Sequence, residues 1–505
     1  MKKLNKILAV SLASVSTLSL AACGGLGGTG GQKPTANDAS TLELVVWNAG
    51  GLKEMFTKME QAFEAKNPDI NVEIIMTTTS EVKDIHNDPN NTVDLYMSPF
   101  ESFLNYKDEL EPLNSVLDMT VDGVKVGDKV SAQAVKAMSA EDGTLYSLPY
   151  YNAINGLYYN ATAFKDAGYS LPRTTDELVK LSKQIVSDEK VPFIYYADYW
   201  NYLSDVWMAQ YAGIEAYSDF WKGTFTNEDG TKVENSSNVF KENYAKRAAY
   251  SVMYELLAPA KAVYRGTLSL SNTYSQTYFL QGKALMLPNG SWMENEMRNT
   301  QSSIEVGLMK TPVISALGTK LGLSSDDELV SVVAYVDGEA DAEQTAFVET
   351  LDAAVVEQVR TARNTYYSEL FQYHSVIPAD AVAKDAAKKF LAFYYSDEAL
   401  QIAENNGSLL PATYSDGSKR KTSTDSLSSF MKSCLDCDAN AIYIGKALGA
   451  PLLYKNDLKS LYNYNPASEF YYVDGTATVD KYFEKENAYW DKEWNNLLKD
   501  AGLAD

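Results

Sequence analysis

Histidine is nearly missing from this chain: His86 and His374 are the only two in 505 residues. Cysteine is also scarce, at three. Structural zinc is held by four ligands drawn mainly from these two residue types, so no ordinary zinc site is expected. Asp436, Asp438 and Asn440 hint at a calcium loop, but Ala441 stands where the sharp turn needs glycine and no Glu closes the loop. No metal or cofactor is therefore expected. Positive charge is short as well, with 44 Lys and Arg against 67 Asp and Glu and a net charge of −23. Phosphate recognition needs clustered Lys and Arg. Nucleic acid and anionic lipid headgroups are excluded as main partners, and the main ligand is not expected to be anionic.

Long apolar runs are wanting too. Ile7 to Ala22 is apolar or small, which is too short for a bilayer that takes about 20 residues. It follows Lys2, Lys3 and Lys6 and reads as a secretory signal. Gly24, Gly25, Gly27, Gly28, Gly30 and Gly31 then open a segment, to Ser40, with the composition of a flexible tether. Outside the cell, Cys434 and Cys437 are expected to form a short-loop disulfide.

What the chain has in excess is aromatic side chains: 35 Tyr, 17 Phe and 7 Trp. Tyr and Trp join an apolar face to a polar tip. Sugars are the ligands that match, apolar on one ring face and hydroxylated at the edge.

Along the chain, Thr41–Trp47 reads as a strand. A helix follows with apolar positions Leu52, Met55, Phe56, Met59 and Phe63 on one face, ended by Asn67-Pro68-Asp69. Val72–Met76 and Val93–Met97 are further strands. Thr174 and Glu177 fit a capping box before Leu178, Leu181 and Ile185. Residues 314–342, rich in Gly, Ser and Asp, read as loops with short strands, and 343–364 as a helix. Alternating strands and helices predict an α/β fold with largely parallel sheets. Ligands of such sheets lie beyond the carboxyl ends of the strands, here Trp47-Asn48, residues 77–79 and Ser98–Glu101.

Leu20-Ala21-Ala22-Cys23 resembles the lipobox of bacterial lipoproteins, which implies a lipid on Cys23, a mature chain starting there and anchoring to the outer face of a cell membrane, in a Gram-positive bacterium. Several segments together resemble the carbohydrate-binding group of extracellular solute-binding proteins, the capture components of ABC importers. They are Leu44–Trp47 with the helix ending Phe63–Pro68; Val93–Leu95; Leu145–Tyr150; Leu157–Asn160 with Phe164–Gly168; the Thr175–Leu178 helix start; Phe279–Leu287 with Asn289–Trp292; and Lys389–Leu391 with Asn406–Pro411. The resemblance covers 41–412, with 314–375 and 413–505 matching poorly. It implies a two-lobe α/β fold with a ligand cleft closed by a hinge. One lobe would hold 41–148 and 313–398, the other 149–312 and 399–505.

By the resemblance Trp292 stacks on a sugar ring, and Tyr199 and Trp200 form an aromatic pair of which Trp200 is favoured. Trp47 joins them at the first strand's end. Polar edge contacts are expected from Asn48, Ser98, Glu101, Tyr150, Tyr151, Asn152 and Asn289, since amides and carboxylates match vicinal hydroxyls. Tyr454, Tyr462 and Tyr464 are outside choices. The expectation is a monomeric, non-enzymatic receptor that captures a neutral saccharide, an oligosaccharide by its aromatic count, and hands it to membrane permease subunits. A glycoside hydrolase would need two carboxylates facing across a cleft, and nothing singles out such a pair. A polysaccharide-binding adhesin would present a flat aromatic platform without closure.

Overall fold

Short β-branched and aromatic runs pair into two separate sheets. The computed structural model describes residues 39–48, 52–77, 92–99, 107–140, 142–234, 236–368, 373–446, 465–471 and 476–500. The signal, Cys23 and its tether, Glu101, Tyr454, Tyr462 and Tyr464 lie outside these. In the two main sheets the strands are β1 (Thr41–Trp47), β2 (Asn71–Thr77), β3 (Leu95–Pro99), β4 (Leu148–Pro149), β5 (Ile154–Asn160), β6 (Met286–Gly290), β7 (Val306–Leu308), β8 (Thr365–Ser368), β9 (Tyr373–Val376) and β10 (Ile442–Ile444). The first sheet runs β2-β1-β3-β9-β4, parallel around β1 and antiparallel around β9. The second runs β6-β5-β8-β10, with β7 also on β5; only β8 and β10 are parallel. The fold is α/β, with mixed sheets where largely parallel ones were expected. The short crossing at 150–153 carries the chain from β4 in the first sheet to β5 in the second without a helix.

The helices that matter for the site are α1 (Leu52–Lys66), α2 (Thr175–Ser187), α3 (Asn201–Ala212), α4 (Tyr244–Leu257), α5 (Asp326–Asp337), α6 (Ala353–Arg363), α7 (Lys384–Tyr394), α8 (Asp397–Asn405), α9 (Ser429–Asp438) and α10 (Val479–Asp500). All five apolar positions read on α1 are buried, each contributing about 1.5–3 kcal/mol. Phe63 inserts between Phe390 and Phe393 of α7, at 5.1 and 5.5 Å between ring centroids. Before α2, the Thr174 hydroxyl accepts from the Glu177 amide. The Glu177 carboxylate accepts from Arg173 N at 2.6 Å, one residue earlier than a strict capping box.

Strand pairing departs from the expected division at two places. Strand β8 sits between β5 and β10. The helices before it pack on the second sheet's body: Gln210 of α3 donates to Ala362 O at 2.9 Å and accepts from Ile314 N, and Thr174 donates to Asp326 at 2.7 Å. Residues 313–368 thus go with the second sheet, and the chain crosses to β9 only after Ser368. Conversely, α8 and the loop after it lie on the first sheet's side. Lys129 pairs with Asp397 at 2.8 Å, Lys66 with Glu398, and Thr413 N donates to Lys129 O. Residues 314–342 are helical rather than looped. Their Ser and Asp are helix caps: Ser325 accepts from the Glu328 amide, and Asp341 forms a reciprocal capping box with Gln344.

The expected disulfide is absent too. Cys434 and Cys437 are free, buried thiols on α9. Cys434 Sγ lies 3.7 Å from the Tyr158 hydroxyl. Burial pushes the Cys434 thiol well up and the Cys437 thiol to about 11, the latter offset by a hydrogen bond with Tyr366.

Candidate ligand-binding site

An aromatic group gathers where β6 ends. Asn289, Gly290 and Ser291 turn the chain out of the sheet, and Trp292 lies back over Gly290. A Cβ on Gly290 would stand 2.1–2.4 Å from three atoms of the indole. Its φ is not positive, so glycine is needed here for close approach and not for backbone conformation. Ser291 pins the turn, its N–H donating to Ile154 O and its hydroxyl accepting from Ile154 N.

Around Trp292 stand tyrosines from the start of α3 and the turn before it. Tyr199 meets the indole edge-on at 5.8 Å and Tyr202 at 6.2 Å. Tyr199 and Tyr202 stack at 4.9 Å, Tyr196 touches Tyr199 at 5.2 Å, and Tyr202 reaches Tyr367 of β8 at 5.1 Å. Trp292 is 8% exposed, and Tyr196 and Tyr199 are half-buried. This arrangement offers ring faces and hydroxyl edges together, which suits a ligand with an apolar face and a polar rim.

The remaining expected residues fall into different places. Trp47 is half-buried and Asn48 exposed at the end of β1, where the Asn48 amide donates to Thr77 O. Tyr151 and Asn152 are buried on the crossing between sheets. Tyr151 packs on Tyr373 at 5.1 Å, and Asn152 Oδ1 accepts from Ser368 at 2.7 Å. Four residues turn inward instead. Trp200 is fully buried, edge-on to Phe193 and Tyr195. Tyr150 is buried among Phe56 and Tyr373, and burial pushes its hydroxyl pKa well up. Asn289 is closed off, its oxygen accepting from Gln276 and from Gly290 N and its nitrogen donating to Asn272. Ser98 is fully buried in β3. All four are buried, with at most 1% of their surface exposed.

Tyr196, Tyr202, Tyr367 and Tyr373 were not singled out in the sequence. A signal existed for two of them: Tyr196, Tyr199 and Tyr202 recur every three residues, the spacing of one face of a tight helix. Two acids lie behind the turn. Burial raises both Glu294 and Glu296; the first accepts from Ser428 at 2.5 Å and the second from Gln276 at 2.8 Å.

The model of the bacterial extracellular solute-binding protein family matches residues 48–401, well over half the chain. The chain belongs to that family. Among curated relatives of this solute-binding protein, a multiple sugar-binding protein of Streptococcus mutans is 23% identical over 62% of this chain and 70% of its own. A diacetylchitobiose-binding protein of Streptomyces coelicolor is 24% identical over 39% of this chain and 40% of its own. In three dimensions, apo RafE from Streptococcus pneumoniae superposes with a TM-score of 0.61 at 15% identity, over 90% of this chain and 98% of that one. The shared fold is the two-lobe α/β architecture.

Proposed function

We propose that this solute-binding protein captures a neutral oligosaccharide at the Trp292–Tyr199–Tyr202 platform, closes a hinge around it and delivers it to ABC permease subunits. The platform is the observation that carries the reading. Relatives named for binding multiple sugars and diacetylchitobiose support it, as does an acidic chain that discourages anionic ligands. Trp292 and Tyr199 supply stacking faces; Trp47, Asn48, Tyr151 and Asn152 supply the opposing side. The lobes are the bodies of the two sheets, joined through 150–153 and the return after Pro411. The receptor acts as a monomer without catalysing hydrolysis, tethered by a lipid on Cys23.

A calorimetric or thermal-shift screen over neutral oligosaccharides tests it. A ligand of the folded state raises stability by RT ln(1 + [L]/Kd), about 2.7 kcal/mol at 100 times Kd. A screen in which no saccharide shifts the transition removes the sugar assignment. Release of shorter sugars in proportion to added protein replaces binding with hydrolysis. A Cys23→Ser chain that still partitions into the membrane fraction removes the lipid.

A further inference from the structure

Beside the platform, on a neighbouring face of α3, the structure holds a second, partly open space. It is a cavity of about 60 Å³ walled by α3, α4 and α10. Such a volume holds roughly four to six water-sized centres. Its walls combine aromatic surface with polar groups that find no partner in the fold. Among the described residues, the indole N–H groups of Trp200 (0% exposed), Trp490 (4% exposed) and Trp221 donate to nothing, and Asn201 Oδ1 accepts nothing. Each such group sealed off without a partner costs on the order of 1–3 kcal/mol. Four orphans around one cavity mark a place for an occupant.

The charges say what kind. Lys246 is paired inside the wall with Glu486 at 2.7 Å. Lys446 lies over the Trp221 ring at 4.9 Å, and Asp205 accepts from Tyr217 at 3.0 Å on the facing side. Of the lining charges, the inner two cations (Lys246 and Lys446) and two carboxylates (Asp205 and Glu486) balance, while the third carboxylate, Asp198, is exposed to solvent, so neither an anion nor a cation is favoured. The occupant must accept from indoles, donate to an amide oxygen and lie against rings. A hydroxyl both donates and accepts in so small a space, and a carbon frame carrying several lies against the rings as water does not.

We infer that this cavity is a binding site for a small neutral polyol of about six heavy atoms, separate from the saccharide platform. Trp200 and Trp490 donate to its oxygens, and Asn201 receives one of its hydroxyl protons. Because Trp200 adjoins Tyr199 and α3 carries Tyr202 on the neighbouring face, the occupant props the platform from the side. The site does not depend on the main ligand being a sugar.

The test follows the seven indole N–H resonances of the full folded chain labelled with 15N-tryptophan during glycerol titration, assigned with Trp200→Phe and Trp490→Phe. Saturable shifts of the Trp200 and Trp490 signals, with Trp292 unmoved, support the site. A larger hexitol should fail to produce them, because it exceeds the cavity. Asn201→Leu should weaken the glycerol response at least tenfold while leaving all other indole signals in place. Parallel, non-saturating drift of all seven signals means an adventitious additive only, and overturns the proposal. If either Trp variant fails to fold, crystals of the native chain grown with and without glycerol decide: water alone in both also overturns it.

Discussion

Replacing Gly290 with alanine should weaken saccharide binding through a residue that itself touches no ligand. The new methyl group would stand 2.1, 2.3 and 2.4 Å from three indole carbons of Trp292. Carbon atoms pack at about 3.5–4.0 Å, so the ring must retreat by about 1 Å or more. Overpacking of this kind costs about 1–3 kcal/mol of stability. Since Tyr199 and Tyr202 already pack edge-on against the ring, its retreat disturbs the contacts that make the platform. Loss of a central aromatic contact costs at least about 1–2 kcal/mol of binding, or roughly 5- to 30-fold in Kd. Titration calorimetry on the best saccharide from the screen measures this, with circular dichroism to confirm the fold. A mutant cycle with Trp292→Ala isolates the cause: once the indole is gone, Gly290→Ala should have almost no further effect. Equal, additive losses in the two backgrounds would refute the reasoning, as would an unchanged Kd in the folded single variant.

Tyr199→Ala should weaken saccharide binding about tenfold or more, whereas Trp200→Phe should leave it within about twofold; reversal of that order in calorimetry would return Trp200 to the ligand face. Burial pushes the Asp205 carboxyl up to about 6, so the folded chain binds that proton more tightly than the unfolded one. Its contribution to stability should therefore decline as pH rises from about 4 through 6, and Asp205→Asn should flatten that part of a urea-unfolding pH profile. Asp397 behaves oppositely: burial raises it, but hydrogen bonds from Lys129, Ser415 and Lys421 outweigh this and hold it well below the usual range. Its stabilisation should be complete above about pH 4 and fall away in more acid solution. Asp397→Asn strands Lys129, whose side chain is 1% exposed, and should cost about 3–5 kcal/mol at pH 7, a gap that narrows in acid. Finally, the peptide carrying Cys434 and Cys437 should take up two alkyl groups after unfolding without reductant, and none in the folded chain at pH 8; a disulfide in that peptide would contradict the free thiols.

Much of the fold was legible because local pattern and tertiary role agree. The apolar face of α1, the buried run of β1 and the Thr174 cap each follow from residues within one or two helical turns, and the structure uses them as read. The failures are non-local. Nothing within Thr365–Ser368 says whether its four residues pair with the first sheet or the second; that choice depends on Asn155 and Ile442, each far away in the chain. Composition misled in residues 314–342 because Ser and Asp favour loops and helix caps alike. Only the following Glu328 and Gln344, three residues on, distinguish the two. The Cys434/Cys437 pair misled because spacing alone carries no direction: on a helix, both thiols turn into a core and toward different tyrosines.

The site shows the same division at the scale of adjacent residues. Resemblance named the aromatic pair Tyr199–Trp200 and favoured Trp200, which the structure buries, and periodicity explains the burial. Trp200, Leu203 and Trp207 are three and four residues apart and all fully buried, a core stripe of α3. Tyr196, Tyr199 and Tyr202 form the neighbouring stripe, offset by one residue, and carry the ring contacts to Trp292. Adjacent helical residues point about 100° apart, so both cannot serve the ligand. Placing Trp200 inward in turn obliges its indole N–H to find a partner within the second sheet's body, where the fold offers none. The buried member of the pair is thus the one that lines the cavity beside the platform, and one short helix supplies both surfaces by alternating which face each aromatic takes.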